Sequence, residues 1–300
     1  MALLARRLAA DPARRQDSFH THLPSLILPD PTRSGPPVCY HLSKGMSGFK
    51  QCLVLRRGLT DYPEGWEMQR QAVAAVGEGR SPHILILLQH PPTYTLGVRG
   101  KSEHLLASEA ALARLGARVY RVDRGGDVTF HGPGQVVGYP ILRLDAWGEG
   151  PLWYVRRLEA ALIDVLAALG IAAGRVEGRP GVWVGPDADG DSRSAHSGPP
   201  SGGAAKVAAI GVRVSRGVTS HGFALNVSPD LSYFAHIVPC GLADAAVTSV
   251  ERLLGRPVPL REVEDLVIDS LGRVFGLEMV EAKAKAVTAA GGLLGECDRP

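Results

Sequence analysis

The 300 residues carry a formal net charge of +3 and are 45% hydrophobic. So small a charge, with no long Lys/Arg block, gives no electrostatic case for nucleic acid, and no apolar run approaches the length of a membrane span. The four cysteines, Cys39, Cys52, Cys240 and Cys297, have neither metal-ligand nor CxxC spacing, which argues against a zinc site or a disulfide framework and fits a reducing, cytoplasmic setting.

Residues 1–49 mix Arg, Pro, Ser and Ala without periodicity and read as a disordered extension. Asp11, Asp17 and Asp30 speak against a transit peptide, which is poor in acids. Met46 is an alternative start. Segment 50–280 reads as a single α/β domain. Its first strand is 51–57, followed by a helix over 63–76 with Pro63 in its first turn. The unbroken apolar run 83–89 suits a strand buried on both faces. Further strands are read at 117–122 and 135–142. Leu152, Val155, Leu158, Leu162, Val165 and Leu169 recur at three or four, so a helix opens at Pro151 and closes at Gly170. Residues 186–205 contain no large apolar side chain and cannot offset their ordering entropy, so they read as a flexible insertion. Strands at 182–184, 207–215 and 218–227 follow, the last two joined by a tight turn at Arg216-Gly217. A helix over 260–274 precedes a weakly ordered tail, 281–300. Helices alternating with hairpins predict a mixed sheet with flanking helices.

Four constellations stand out. Arg124-Gly125-Gly126-Asp127-Val128-Thr129-Phe130-His131-Gly132-Pro133-Gly134-Gln135 packs four glycines around an Arg, an Asp and a His. It lacks GxGxxG spacing and reads as a binding loop held on the strand that follows. Gly97-Val98-Arg99-Gly100-Lys101-Ser102 resembles a P-loop but has Thr95 where the first glycine belongs, so nucleotide binding is rejected. It reads as a surface loop or a pocket wall. Lys206 enters an apolar strand, where burial makes a lysine chemically useful. Cys240 lies between Pro239 and Gly241. An isolated cysteine is more often structural, but a thiol on such a turned segment becomes a nucleophile when a cation lowers its pKa.

Four segments together resemble lipoyl(octanoyl) transferase. They are His90-Pro91-Pro92-Thr93-Tyr94-Thr95-Leu96-Gly97; Arg124 to Pro140; Lys206 to Val212; and His221-Gly222-Phe223-Ala224-Leu225-Asn226 leading to Pro239-Cys240-Gly241-Leu242. The resemblance covers roughly residues 50–280. It implies a biotin/lipoate protein ligase-like fold with an acyl tunnel. It also implies octanoyl transfer from acyl carrier protein to a lysine of lipoyl domains, the first step of endogenous protein lipoylation. Cys240 would be the acyl-thioester nucleophile, and Lys206 would lower its pKa and serve as acid and base. The acyl-binding surface would be Arg124, Gly125, Gly126, Asp127, Val128, Thr129, Phe130 and His131, with Ala209, Ile210 and Gly211, and Gly222, Phe223 and Ala224. Backbone N–H groups near Cys240 or in a turn at 209–211 would meet the oxyanion. His131 is expected to shape the pocket and not to act as the essential base. His221 is expected to hydrogen-bond a loop, and Asp127 to be a structural acceptor. Arg124 pairs with Asp127 or faces the phosphopantetheine. Arg99, Lys101, Arg124, Arg143, Arg213 and Arg216 would form a basic rim toward acidic partners. No metal or cofactor is implied beyond the donor's phosphopantetheine. The partners would be octanoyl-acyl carrier protein, lipoyl domains of oxo-acid dehydrogenase complexes and the glycine cleavage H protein, with neither nucleic acid nor membrane, and the chain a monomer. The competing readings are an ATP-dependent lipoate ligase or a lipoyl-relay amidotransferase of the same fold, and a non-catalytic acyl- or carrier-binding protein. Cys240 separates the first from the transferase, since an adenylate chemistry needs no thiol.

Overall fold

The computed structural model describes residues 50–185, 203–238 and 246–282. The extension 1–49, residues 186–202 of the insertion, the segment 239–245 with Cys240, and the tail 283–300 lie outside the described residues.

In chain order the elements are β1 (Lys50–Leu59), α1 (Tyr62–Gly77), β2 (His83–Gln89), β3 (Thr93–Leu96), α2 (Glu109–Arg114), β4 (Arg118–Arg121), β5 (Val128–His131), β6 (Gln135–Ile141), α3 (Pro151–Ala168), β7 (Gly174–Val176), β8 (Arg179–Val184), β9 (Ala205–Ser215), β10 (Val218–Asn226), β11 (Ala246–Val247), α4 (Val250–Leu254), α5 (Leu260–Phe275) and β12 (Leu277–Glu281). The principal sheet runs β12-β1-β2-β6-β10-β9-β8-β7, with β11 beside β9. β1 is parallel to both β12 and β2, and β11 is parallel to β9. The pairings from β2 through β7 are antiparallel. The expected mixed sheet with flanking helices is what the chain forms. A second sheet, β4-β3-β5, stands apart.

β2 shows why its run is apolar without a break. Leu85 and Leu87 join the core beneath α3 and α5, while Ile84, Ile86 and Leu88 join the core beneath α1. Successive strand side chains face opposite ways, so a central strand covered on both faces has no position for a polar residue. Arg216 and Gly217 both have positive φ, 50° and 77°, the geometry of the tight hairpin turn that carries β9 into β10.

Three expectations are corrected. The segment 124–135 is not all loop, because 128–131 form β5, paired with β3. Val128 and Phe130 point into a small separate core with Tyr94, Leu96, Leu112 and Ile237, and that burial draws the chain into a strand. Residues 209–211 lie within β9 and not in a turn, because β10 pairs them in continuous register. Glu281, read as the start of the tail, ends β12, where it accepts bonds from Arg56.

Candidate active site

The two sheets meet around an open cleft, with about 790 Å³ of empty space when the solvent at its mouth is included. Its walls bring together Arg124, Gly126, Asp127, Val128, Thr129 and His131 with Lys206, and Ala209, Ile210 and Gly211 with Gly222, Phe223 and Ala224. The last two triplets are direct cross-strand partners: Gly211 faces Gly222, Ile210 faces Phe223 and Ala209 faces Ala224. Gly125 and Phe130 are not on the wall. Gly125 donates its N–H to the Val212 carbonyl at 2.8 Å, tying the loop to β9. The Phe130 ring stacks on Tyr233 with centroids 4.7 Å apart, in the small core behind the loop.

The near-P-loop does not line the cleft. It braces the glycine-rich loop from behind: Gly97, Val98 and Arg99 donate their N–H groups to the carbonyls of Asp127, Arg124 and Gly126. A Cβ on Gly97 would lie 2.5 Å from the Gly126 oxygen, so the two loops touch only because this residue has no side chain.

Arg124 is buried, so it does not belong to an exposed basic rim. Its Nη2 donates to the Thr95 carbonyl at 2.6 Å and to Thr95 Oγ1 at 2.9 Å, and its Nη1 donates to the Gly125 carbonyl at 3.0 Å. The guanidinium fork thus pins β3 to the loop. Asp127 is an acceptor, taking the Val128 N–H at 2.8 Å and pairing with His104 Nδ1.

Beneath the loop lies a buried group of Tyr62, His90, His131 and Tyr139. His90 Nδ1 lies 2.6 Å from the Thr60 carbonyl, which can only accept, so Nδ1 carries the proton and Nε2 accepts the Tyr139 hydroxyl at 2.7 Å. Burial pushes the His90 pKa down to about 4. Burial first, then the nearby His90 and Arg124, holds His131 well below its ordinary value. A ring kept neutral in this way suits pocket shaping.

His221 takes a positive φ of 56° on β10 and lines the same cleft. Its Nε2 lies 2.7 Å from Asp123, whose other oxygen pairs with Arg213. Burial, with Arg124 and Arg213 acting in the same direction, lowers its pKa to about 3, so the neutral ring donates Nε2–H to the carboxylate. The wall residues Gln135, Tyr139 and Asn226 lie in segments the sequence marks out, without a role of their own, while Asp123, Tyr62, Phe234 and Val247 lie outside those segments. Of these four only Asp123, directly before the glycine-rich run, carries a local signal.

Lys206 is buried, with Nζ 3.2 Å from the Pro180 carbonyl and 4.6 Å from the centre of the Trp183 ring. β11 begins directly after the undescribed segment that holds Cys240, and its Val247 is the cross-strand partner of Lys206. Of the other cysteines, Cys39 and Cys297 lie outside the described residues. Cys52 is buried, which pushes its thiol up to about 12 and leaves it unreactive.

The lipoyl protein ligase A/B catalytic domain family matches residues 61–272. The chain belongs to this family. Among its relatives, an octanoyltransferase of Chloroflexus aggregans is 47% identical over 230 residues, covering 76% of this chain and 97% of that one. An octanoyltransferase of Myxococcus xanthus is 44% identical over 229 residues, and there the match spans 76% of this chain and 61% of that longer protein. The family member described here is therefore an acyltransferase of the octanoyltransferase group. Its fold is that of the bipartite lipoate protein ligase of Thermoplasma acidophilum, with a TM-score of 0.58 at 16% identity, covering 79% of this chain and 89% of that one. No described helix is long and apolar enough to cross a membrane.

Proposed function

We propose that this chain transfers an octanoyl group from the phosphopantetheine thioester of an acyl carrier protein to a lysine amine of lipoyl domains, through a thioester on Cys240. The observation that carries this reading is Lys206, a buried lysine in the wall of an apolar cleft, joined through β11 to the segment bearing Cys240. An ammonium near a thiol favours the thiolate. The Cys240 thiolate attacks the thioester carbonyl, the bond to the carrier sulfur breaks, and that sulfur leaves as a thiol with a proton from Lys206. The lipoyl-domain amine then attacks the octanoyl-Cys240 carbonyl. Lys206 takes the amine proton, the amide forms and the Cys240 sulfur departs. Thioester exchange is nearly balanced and amide formation is downhill, so neither ATP nor another cofactor is required. The acceptors are the lipoyl domains of oxo-acid dehydrogenases and the glycine cleavage H protein, the setting is cytoplasmic, and the chain acts as a monomer.

The test is intact mass after incubation with octanoyl-carrier protein. A hydroxylamine-labile octanoyl adduct on the wild type, absent from Cys240→Ser, is expected. A folded wild type with no adduct refutes the reading, and ATP-dependent octanoylation from free octanoate would then favour a ligase.

A further inference from the structure

α3 is an apolar helix whose stripe Val155, Leu162 and Leu166 includes one acid, Glu159. Its side chain is 2% exposed. Oε2 accepts from Arg156 Nη1 at 2.9 Å and from Arg175 Nε at 3.0 Å, while Oε1 accepts the Gly181 N–H at 3.2 Å. That N–H belongs to the same peptide unit as the Pro180 carbonyl, which accepts Lys206 Nζ at 3.2 Å. The carboxylate and the ammonium therefore sit at the two ends of one peptide dipole.

The backbone is shaped for this contact. Gly181 has φ +125°, and a Cβ there would lie 2.5 Å from the Ala208 oxygen. The β8–β9 register shifts at Val182 and Trp183, immediately after it. A bulge next to a reactive group commonly serves to re-aim a side chain. On another side, Lys206 Nζ stands over the Trp183 ring, which favours a cation. A buried carboxylate needs partners to offset its desolvation, and Arg156 and Arg175, both partly exposed, supply them at Oε2. Oε1 is thereby left to the Gly181 amide. A hydrogen bond accepted from a peptide N–H polarises the carbonyl of that peptide and strengthens it as an acceptor.

We propose that Glu159 is a positioning residue for Lys206, fixing the ammonium in the cleft through the Pro180–Gly181 peptide. The proposal rests on the Cys240–Lys206 reading above. Among the described residues, the charged groups around Glu159 are Arg156 and Arg175, Arg179 shares the Trp183 ring with Lys206, and the cleft that Lys206 lines also holds Arg124 and Asp127 with the titratable Tyr62, His131, Tyr139 and His221.

The experiment measures, on the full chain, the pH dependence of Cys240 alkylation by iodoacetamide and the kcat and KM for octanoyl-carrier protein. Glu159→Gln keeps an acceptor for Gly181 but loses the charge. Glu159→Asp keeps the charge for both arginines and withdraws it from Gly181, and it serves where the Gln variant does not fold. Lys206→Met should raise the alkylation midpoint by about one pH unit or more. Each Glu159 variant should move it the same way by a smaller amount and lower kcat roughly tenfold, with KM nearly unchanged. Wild-type midpoint and kcat in a folded Glu159 variant, while Lys206→Met shifts both, would overturn the proposal. An unshifted midpoint in Lys206→Met would instead overturn the parent reading.

Discussion

Replacing Gly138 by Ala tests whether the cleft is held by a cross-strand glycine–aromatic pair. Gly138 on β6 is the register partner of Phe223 on β10, and the Phe223 ring lies over it. A Cβ at 138 would sit 2.2 Å from Phe223 Cζ and 2.5 Å from Cε1. To reach an ordinary 3.4 Å contact the ring must retreat by more than about 1 Å. Phe223 stands between the core beneath α3 and α5 and the cleft, so the ring can retreat only by pressing on that core or by entering the cleft. Overpacking of this kind costs about 1–3 kcal/mol. The added side chain returns about 0.5–1 kcal/mol by restricting the unfolded backbone. The net expectation is a destabilisation of about 1–2 kcal/mol. Because Phe223 also lines the cleft, a displaced ring should slow octanoyl transfer. Urea unfolding of the wild type, Gly138→Ala, Phe223→Leu and the double variant forms a cycle. Leu at 223 removes the atoms that collide, so the double variant should be more stable than additivity predicts by about 1 kcal/mol. Additive costs within error, or a Gly138→Ala variant as stable as wild type, would refute the packing argument.

Two further outcomes are expected. His83, His90 and His221 have folded pKa values of about 4, 4 and 3, all below the ordinary 6.5. The unfolded chain therefore binds more protons between those limits, and stability present at pH 7 is lost as pH falls through about 6.5 toward 4. Each group contributes about 1–2 kcal/mol to the loss between pH 7 and 5. Urea unfolding at the two pH values measures it, and His90→Gln should flatten the slope; a stability that does not change over this range contradicts the burial of neutral imidazoles. Arg124→Lys removes a fork that grips both Thr95 and Gly125, so initial rates of octanoyl transfer should fall roughly tenfold or more. Rates within a factor of two of wild type would mean the fork does not organise the loop.

Much of the outcome was written locally. The apolar run at β2 required burial on both faces, Pro151 and the three-four spacing delimited α3, and Arg216-Gly217 marked the β9–β10 hairpin. The glycine-rich segment announced a close backbone approach, and Lys206 announced a charge in an apolar strand. What the sequence left open depended on partners distant in the chain. β5 forms because Val128 and Phe130 find an apolar core supplied partly by Ile237, more than a hundred residues away. Arg124 turns inward because β3 brings Thr95 to it, and His221 meets Asp123 only because the connection between β4 and β5 reaches β10. Glu159 carries no signal of its own in the sequence, and it meets the Gly181 amide only because β8 is laid across α3. Periodicity and turn chemistry are properties of neighbours along the chain. The direction of a side chain, and what it can do, is fixed by which strands lie beside one another, and only the folded sheet decides that.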